Sequence, residues 1–398
     1  MMSSLKPGNR DLIKAMNRNL LVNILRRSGA LSRTQLTEIS GLSVGAVSQI
    51  TTELIQDGWI LEIGEGDYTG GRRQVLLKLN PTMGYALGLK LMEDRVVCAV
   101  TNFEARVLHY QDQPLSANGH PEIVSDALAQ IVRSVMATSG LKPEKFFGVG
   151  VGLAGVIHGS AGRVHYSPFF GWRDVPLAEM LQARTGLPVT IENDVNTLTL
   201  TEHLFGAGRH FNNVVVVTIG RGIGMGMIIN GQLYRGARGG AGEIGHIIID
   251  LSRSASDPLE GSLEQMASDP TLLESYRAIR KSSNPLDLNF LVQQANAGDA
   301  RARTLFAQSG EQLGVGLATV VNILSPEMLI ISGEGLIAGD HRLQPMMDAL
   351  RRYAFNGLLD DVRLVIEPTD DQAWARGAAS LVLSKVFESP LVETNAII

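Results

Sequence analysis

The sequence predicts an α/β protein in which an N-terminal winged helix-turn-helix precedes a body of two α/β lobes. Three observations predict this. Residues 30–58 hold two short amphipathic stretches joined at Gly41, residues 60–79 hold two apolar β runs around a glycine-rich tip, and from residue 86 apolar β runs alternate with helical stretches, a pattern that restarts near residue 214.

The elements follow in order. Leu12, Ile13, Met16, Leu20, Leu21, Ile24 and Leu25 recur at helical spacing and predict a supporting helix. Ser32 is suited to cap the next helix, with Leu36 and Ile39 inward, and Ser43 to cap the one after, with Val47, Ile50, Leu54 and Ile55 inward. The outward residues of that last helix, Gly45, Ala46, Ser48 and Gln49, are small or polar. Such a helix fits a DNA major groove about 12 Å wide, where Ser48 and Gln49 can reach base edges. Arg33, Thr34 and Ser43, at the helix starts, complete the DNA-facing set on this side. The tip after Ile60 reads Thr69-Gly70-Gly71-Arg72-Arg73, and its two arginines suit phosphates or a narrow, electronegative minor groove. An ordinary pair of surface helices would explain the helical stretch but not the basic tip beside it.

Charge divides the chain the same way. The first 80 residues carry ten Lys and Arg against seven Asp and Glu, the remainder 25 against 33, so only the front attracts phosphate. The excess is small, and affinity for operator DNA has to come from dimerisation and placement. With 398 residues, 44% of them hydrophobic, the chain has room for two or three domains. No apolar run approaches the roughly 18 residues of a membrane span and no signal peptide is evident, so a cytoplasmic protein without a membrane partner is expected. Cys98 is the single cysteine, which excludes an intrachain disulfide and a cysteine-built metal site; within Arg95–Val100 it reads as core packing.

Asn80-Pro81-Thr82-Met83-Gly84 reads as a linker. Beyond it, β runs are expected at Ala86–Leu91, Val96–Val100, Phe147–Leu153, Val214–Ile219, Gly226–Ile229, Met328–Ser332 and Val362–Ile366, with a helix near Pro121–Ser139. The expected domains are residues 1–80, a first lobe at 81–195 closed by a C-terminal helix at 373–388, and a second lobe at 196–372 with sugar-site motifs and a dimerisation surface.

Thr69–Arg72, Ile191–Asn196 (Ile-Glu-Asn-Asp-Val-Asn) and Gly240–His246 (Gly-Ala-Gly-Glu-Ile-Gly-His), in that order behind a winged helix, resemble the ROK family of sugar kinases and sugar-responsive repressors. The similarity extends over nearly the whole chain and also takes in Gly152–Gly155, the Gly220–Gly226 loop and Arg376–Ala379. It implies an actin-like, hexokinase-type pair of lobes. In kinases of the family, the Asp corresponding to Asp194 takes the proton of the sugar hydroxyl, and Asn193 matches a neighbouring hydroxyl ligand. Glu243, His246 and Glu264 resemble the remaining sugar ligands. Carboxylates and amides satisfy many hydroxyls at once and reject analogues that leave buried polar groups unpaired.

Two departures from the family pattern carry information. Many members place three cysteines after the His to hold a structural zinc; Ile247–Leu263 has none, and Ser262 stands where the last is expected. A site built from His246, Asp250, Asp257 and Glu260 lacks the thiolates usual for structural zinc, so no metal is expected and the zinc-free, xylose-repressor-like members are the nearer comparison. Family kinases also open the first lobe with an Asp and a Gly-Gly-Thr phosphate loop. This chain has Lys90 in place of that Asp and Met92-Glu93-Asp94 in place of the loop, whose charges repel a polyphosphate. The second phosphate loop keeps its glycines but carries Arg221, an ambiguous sign. The resulting expectation is a non-enzymatic, cofactor-free regulator, a homodimer or homotetramer that binds a palindromic operator and is released by a sugar. The alternatives are an active ATP-dependent sugar kinase with an added DNA-binding domain, and a regulator that answers to a sugar phosphate or a protein partner.

Overall fold

The computed structural model describes residues 10–65, 74–115, 119–253, 259–280 and 286–390. The chain divides into two compact units, residues 1–210 with 375–398 and residues 211–374.

The first unit opens with the predicted reading head. A support helix Arg10–Ser28 precedes the helix pair Arg33–Ser40 and Val44–Gln56, and strands Ile60–Glu65 and Val75–Leu79 form an antiparallel ribbon to which the short strand Leu31–Ser32 adds. Ser32 makes a complete capping box with Gln35, and Gly41 ends the first helix at φ +69°, a left-handed conformation that glycine adopts without strain. Ser43 caps the second helix by accepting from the Ala46 amide. Leu21, Leu25, Leu36, Val47, Leu54, Ile60 and Leu77 fill the core. Ile39, Ile13 and Leu20, inward by their spacing, are exposed instead. The eight-residue helix is too short for a second buried layer, and Leu36 alone reaches the core.

The predicted linker is a packed junction. Asn80 donates from its backbone to Trp59 O at 2.9 Å and from its side chain to Gly58 O at 2.8 Å, while Phe103 N donates to Pro81 O. Trp59 meets Phe103 edge-on at 5.6 Å, and Phe103 lies 4.9 Å from Phe387 of the C-terminal helix Asp371–Phe387. Head and first lobe therefore share one hydrophobic core, running from Leu21 and Leu36 to Ala86, Val382 and Leu383.

The lobe itself is a five-stranded sheet in the order Val189–Asn193, Phe146–Leu153, Tyr85–Leu91, Arg95–Thr101, Val107–Pro114. The C-terminal helix presses so closely on it that a Cβ at Gly150 would lie 1.8 Å from Ala378 O, and one at Gly88 2.0 Å from Ala375 O. Helix Asp194–Phe205 crosses the expected boundary at residue 195 and stays with this unit, its Thr197 against Gly152 and Gly377.

The second unit repeats the topology. Its sheet runs Gln232–Leu233, Ile223–Ile229, Val214–Ile219, Met328–Ser332, Arg363–Ile366. In both units three antiparallel strands are followed by two that add in parallel beside the first of the three. Helices Ala300–Leu324 and Asp340–Tyr353 cover this sheet and meet at Gly310 and Gly314, where an added Cβ would strike Arg342 O and Met346 O. Arg342, fully buried, donates to Asp269, Ser309 Oγ, Gly335 O and Ala267 O, so its charge is paired and its donors are used.

Candidate DNA-reading head and effector-binding residues

The candidate recognition helix Val44–Gln56 turns Val47, Ile50, Thr51 and Leu54 inward and leaves Ser43, Val44, Gly45, Ser48 and Gln49 exposed, with Ala46 half-buried. The capped end is thus a surface of small and polar groups. Val44, 73% exposed, belongs to it and was missed in the sequence, where a valine at a helix start reads as core. Gln49 donates to Glu53 at 3.1 Å, a contact on its own helix that a base edge can replace. Thr34 is exposed. Arg33 is held inside the head by Thr51 Oγ1 and Glu62, both at 3.1 Å, which leaves it less reach than the other candidates. Arg72 and Arg73 lie outside the described residues.

In the first unit, Asn193 and Asp194 sit where strand Val189–Asn193 turns into helix Asp194–Phe205. Asn193 is the helix cap: its Oδ1 accepts from the Val195 and Asn196 amides, and its Nδ2 donates to Gly155 O at 3.1 Å. The buried Glu192 accepts from the Asn193 amide and from Asn196 Nδ2. Asp194 begins the helix, where the backbone dipole favours a negative charge, and Lys90 Nζ donates to its Oδ2. Both side chains are largely buried, at 9% and 14% exposure. Lys90 therefore occupies one oxygen of the carboxylate expected to bind a sugar hydroxyl. Sequence reading found the substitution but not the pairing, which depends on a strand register between Lys90 and Gly152 that lies 62 positions away.

In the second unit, Glu243 precedes and His246 ends a single 3-10 turn, Ile244–His246, both about half exposed and 3.9 Å apart. Gly242, at φ +99°, brings the chain against Met225 and fixes this turn on the sheet edge. Glu264 Oε2 accepts from the Ile223 amide at 2.7 Å and packs on Gly222 and Gly245. One oxygen of this expected sugar ligand is thus committed to the glycine loop.

That loop has a second carboxylate. Glu334 Oε1 accepts from the Arg221 amide at 2.9 Å, and the carboxylate lies where a Cβ on Gly220 would fall. Backbone amides that cradle a phosphate must point at an anion, and here the chain supplies one itself. The Arg221 amide is therefore already paired with a carboxylate of the chain, a contact the sequence does not reveal. Ser262 caps helix Leu263–Ala267 by accepting from the Gln265 amide at 3.3 Å, a structural use for the position where a zinc-binding cysteine was anticipated. Among the described residues, no group of three or more His, Cys, Asp or Glu side chains is placed to hold a metal ion, and Asp257 lies outside them. No helix of the described residues is long and apolar enough to cross a membrane.

Known proteins share this architecture. The xylose repressor of Bacillus subtilis is 30% identical over 382 residues, covering 96% of this chain and 98% of its own. A solved ROK family transcriptional regulator, described as a homologue of the Escherichia coli MLC protein, superimposes with a TM-score of 0.81 at 25% identity, over 96% of this chain and 99% of that one. The ROK hexokinase of Thermus thermophilus matches with a TM-score of 0.64 at 28% identity, over 99% of its own length but 76% of this chain. A model of the ROK family matches residues 86–385, both lobes but not the reading head. The chain belongs to the ROK family.

Proposed function

We propose that the protein is a sugar-responsive transcriptional repressor whose winged head binds operator DNA and whose lobes bind a sugar that releases it. The observation that carries this reading is the Lys90–Asp194 pair. A phosphoryl-transfer enzyme depends on positioning the nucleophile and stabilising the phosphates, and an ammonium on the base oxygen opposes the first. The carboxylate of Glu334 on the Arg221 amide opposes the second. Hydroxyl recognition is compatible with both changes, because Glu243 and His246 are half exposed and Asn193 and Asp194 can exchange present partners for the hydroxyls of a polyol. The similarity to a xylose repressor makes D-xylose the first sugar to examine. The small positive excess of the head supports a dimer or tetramer on a palindromic operator, in the cytoplasm, with Ser43, Val44, Gly45, Ala46, Ser48 and Gln49 facing the major groove and Arg72 and Arg73 the backbone or minor groove.

Selection of DNA sites from a random pool by the full-length protein, followed by titration of D-xylose and a panel of other sugars and sugar phosphates against the bound site, tests this. The expected result is a two-fold-symmetric site and release by a sugar. Absence of any sequence preference would refute it.

A further inference from the structure

Helix Asp194–Phe205 begins at the effector residues and ends on the reading head. At its start, Asn193 caps it and Lys90 pairs with Asp194. At its end, Arg26 of the support helix donates from Nη1 to Leu204 O, a last-turn carbonyl that the helix itself cannot satisfy. The same guanidinium lies over Phe205 at 5.9 Å and over Phe387 at 5.4 Å, and its Nε donates to Asn23 Oδ1 at 3.2 Å. Asn23 in turn donates to Phe387 O at 2.9 Å, and Asn19 to Phe387 O and Glu388 O. The C-terminal helix therefore arrives at the same point, and Gly377 packs it on Thr197 of the first helix so tightly that a Cβ would lie 2.8 Å from Thr197 Oγ1. Burial, and secondarily Arg27, push Arg26 down to about 9, so the site keeps a poorly solvated cation that depends on these partners.

A helix of 12 residues spans about 18 Å and moves as a rod. Anything that shifts its first turn has to move or break the Arg26 contact at its last. We propose that Arg26 is the positioning residue through which the state of the Asn193–Asp194 end sets the placement of the reading head. A sugar that engages Asn193 or competes with Lys90 for Asp194 perturbs the cap. The rod passes the displacement to Arg26, and the support helix, which shares its core with the recognition helix, follows. The device gives a two-state element that both ligands can bias, which is what coupling between two sites requires. The proposal builds on the repressor reading, but its test uses neither DNA nor sugar.

Amide hydrogen exchange on the full-length protein provides that test. Asp194→Asn, which is nearly isosteric and removes the charge paired with Lys90, is expected to speed exchange in helix Arg10–Ser28 by about fivefold, the ratio that one net hydrogen bond is worth. Helix Pro121–Ser139, whose neighbours are Leu177–Thr185 and strands 95–114, serves as the reference and is expected to stay unchanged. In Arg26→Met, exchange in helix Arg10–Ser28 starts higher and Asp194→Asn adds nothing. A purely structural Arg26 would raise exchange by itself and leave the Asp194→Asn increment intact, which would overturn the proposal. So would Asp194→Asn leaving that helix unchanged, a comparison that stands even if Arg26→Met fails to fold; Arg26→Lys, which keeps the charge but not the guanidinium's stacking, then replaces it. Failure of the repressor reading would show instead as an absence of sequence preference in DNA selection.

Discussion

Asp194 shows how one substitution elsewhere changes what a side chain can do. The carboxylate stands at a helix start, but Lys90 takes one of its acceptor oxygens and makes it half of an ion pair. Residue-scale expectations for the head rest on exposure. Ser48 and Gln49 face outward from a helix whose other side is locked by Val47, Ile50 and Leu54. Replacing each with Ala should cost about 1–3 kcal/mol of discrimination between the selected site and random DNA, with little change in melting temperature. Competition titrations with the two DNAs measure this, and full preference in both variants would assign reading to other residues. The outward identities of Ser48 and Gln49 were legible from periodicity. The tethering of Arg33 by Thr51 and Glu62 was not, because it joins residues 18 and 29 positions apart through the fold.

Elements of the chain are legible in sequence where local chemistry decides them. Capping by Ser32, Ser43 and Gly41 follows from residues within one turn, and the β runs of both lobes follow from uninterrupted aliphatic stretches. The junction is not legible in the same way, since Asn80–Gly84 has the composition of a linker and only the long-range partners Gly58, Trp59 and Phe103 tie it down. Close helix-on-sheet packing is long-range as well, with Gly150 against Ala378 O of the C-terminal helix. Gly150→Ala places a methyl against Ala378 O and should destabilise the protein by about 3 kcal/mol or more, read in denaturant unfolding. Gly45→Ala, with open space around its Cβ on an exposed helix, should be neutral or stabilising by up to about 1 kcal/mol. At the wing, Ala at both Arg72 and Arg73 should weaken DNA binding and flatten its salt dependence by roughly 0.9 in log–log slope for each phosphate that is no longer neutralised. An unchanged slope would place the pair in solvent.

Across the chain, two copies of one sheet topology carry the candidate effector residues at the ends of strands and in the loops beside them, and the head packed on the first copy carries the candidate DNA face. The duplication was visible as a restarted alternation near residue 214. What the sequence left undecided was whether the glycine loop binds an anion, because the answer depends on Glu334, which lies 113 positions from Arg221. With Ser262 serving as a helix cap, purified protein should contain no stoichiometric zinc, and a chelator should leave its melting temperature unchanged. One tightly held zinc per chain would contradict that assignment.

We propose that recognition of a sugar has been kept in this chain while turnover has been lost. Sugar-dependent ATP turnover, measured on the same preparation and with the same sugar that releases the selected DNA site, tests it most directly. Release without turnover is the predicted result, with Asp194→Asn weakening the response to sugar, because an acceptor-only carboxylate becomes an amide that presents donors on one side. Turnover on the order of 1–10³ s⁻¹ that vanishes in Asp194→Asn would contradict the account and make the protein a kinase.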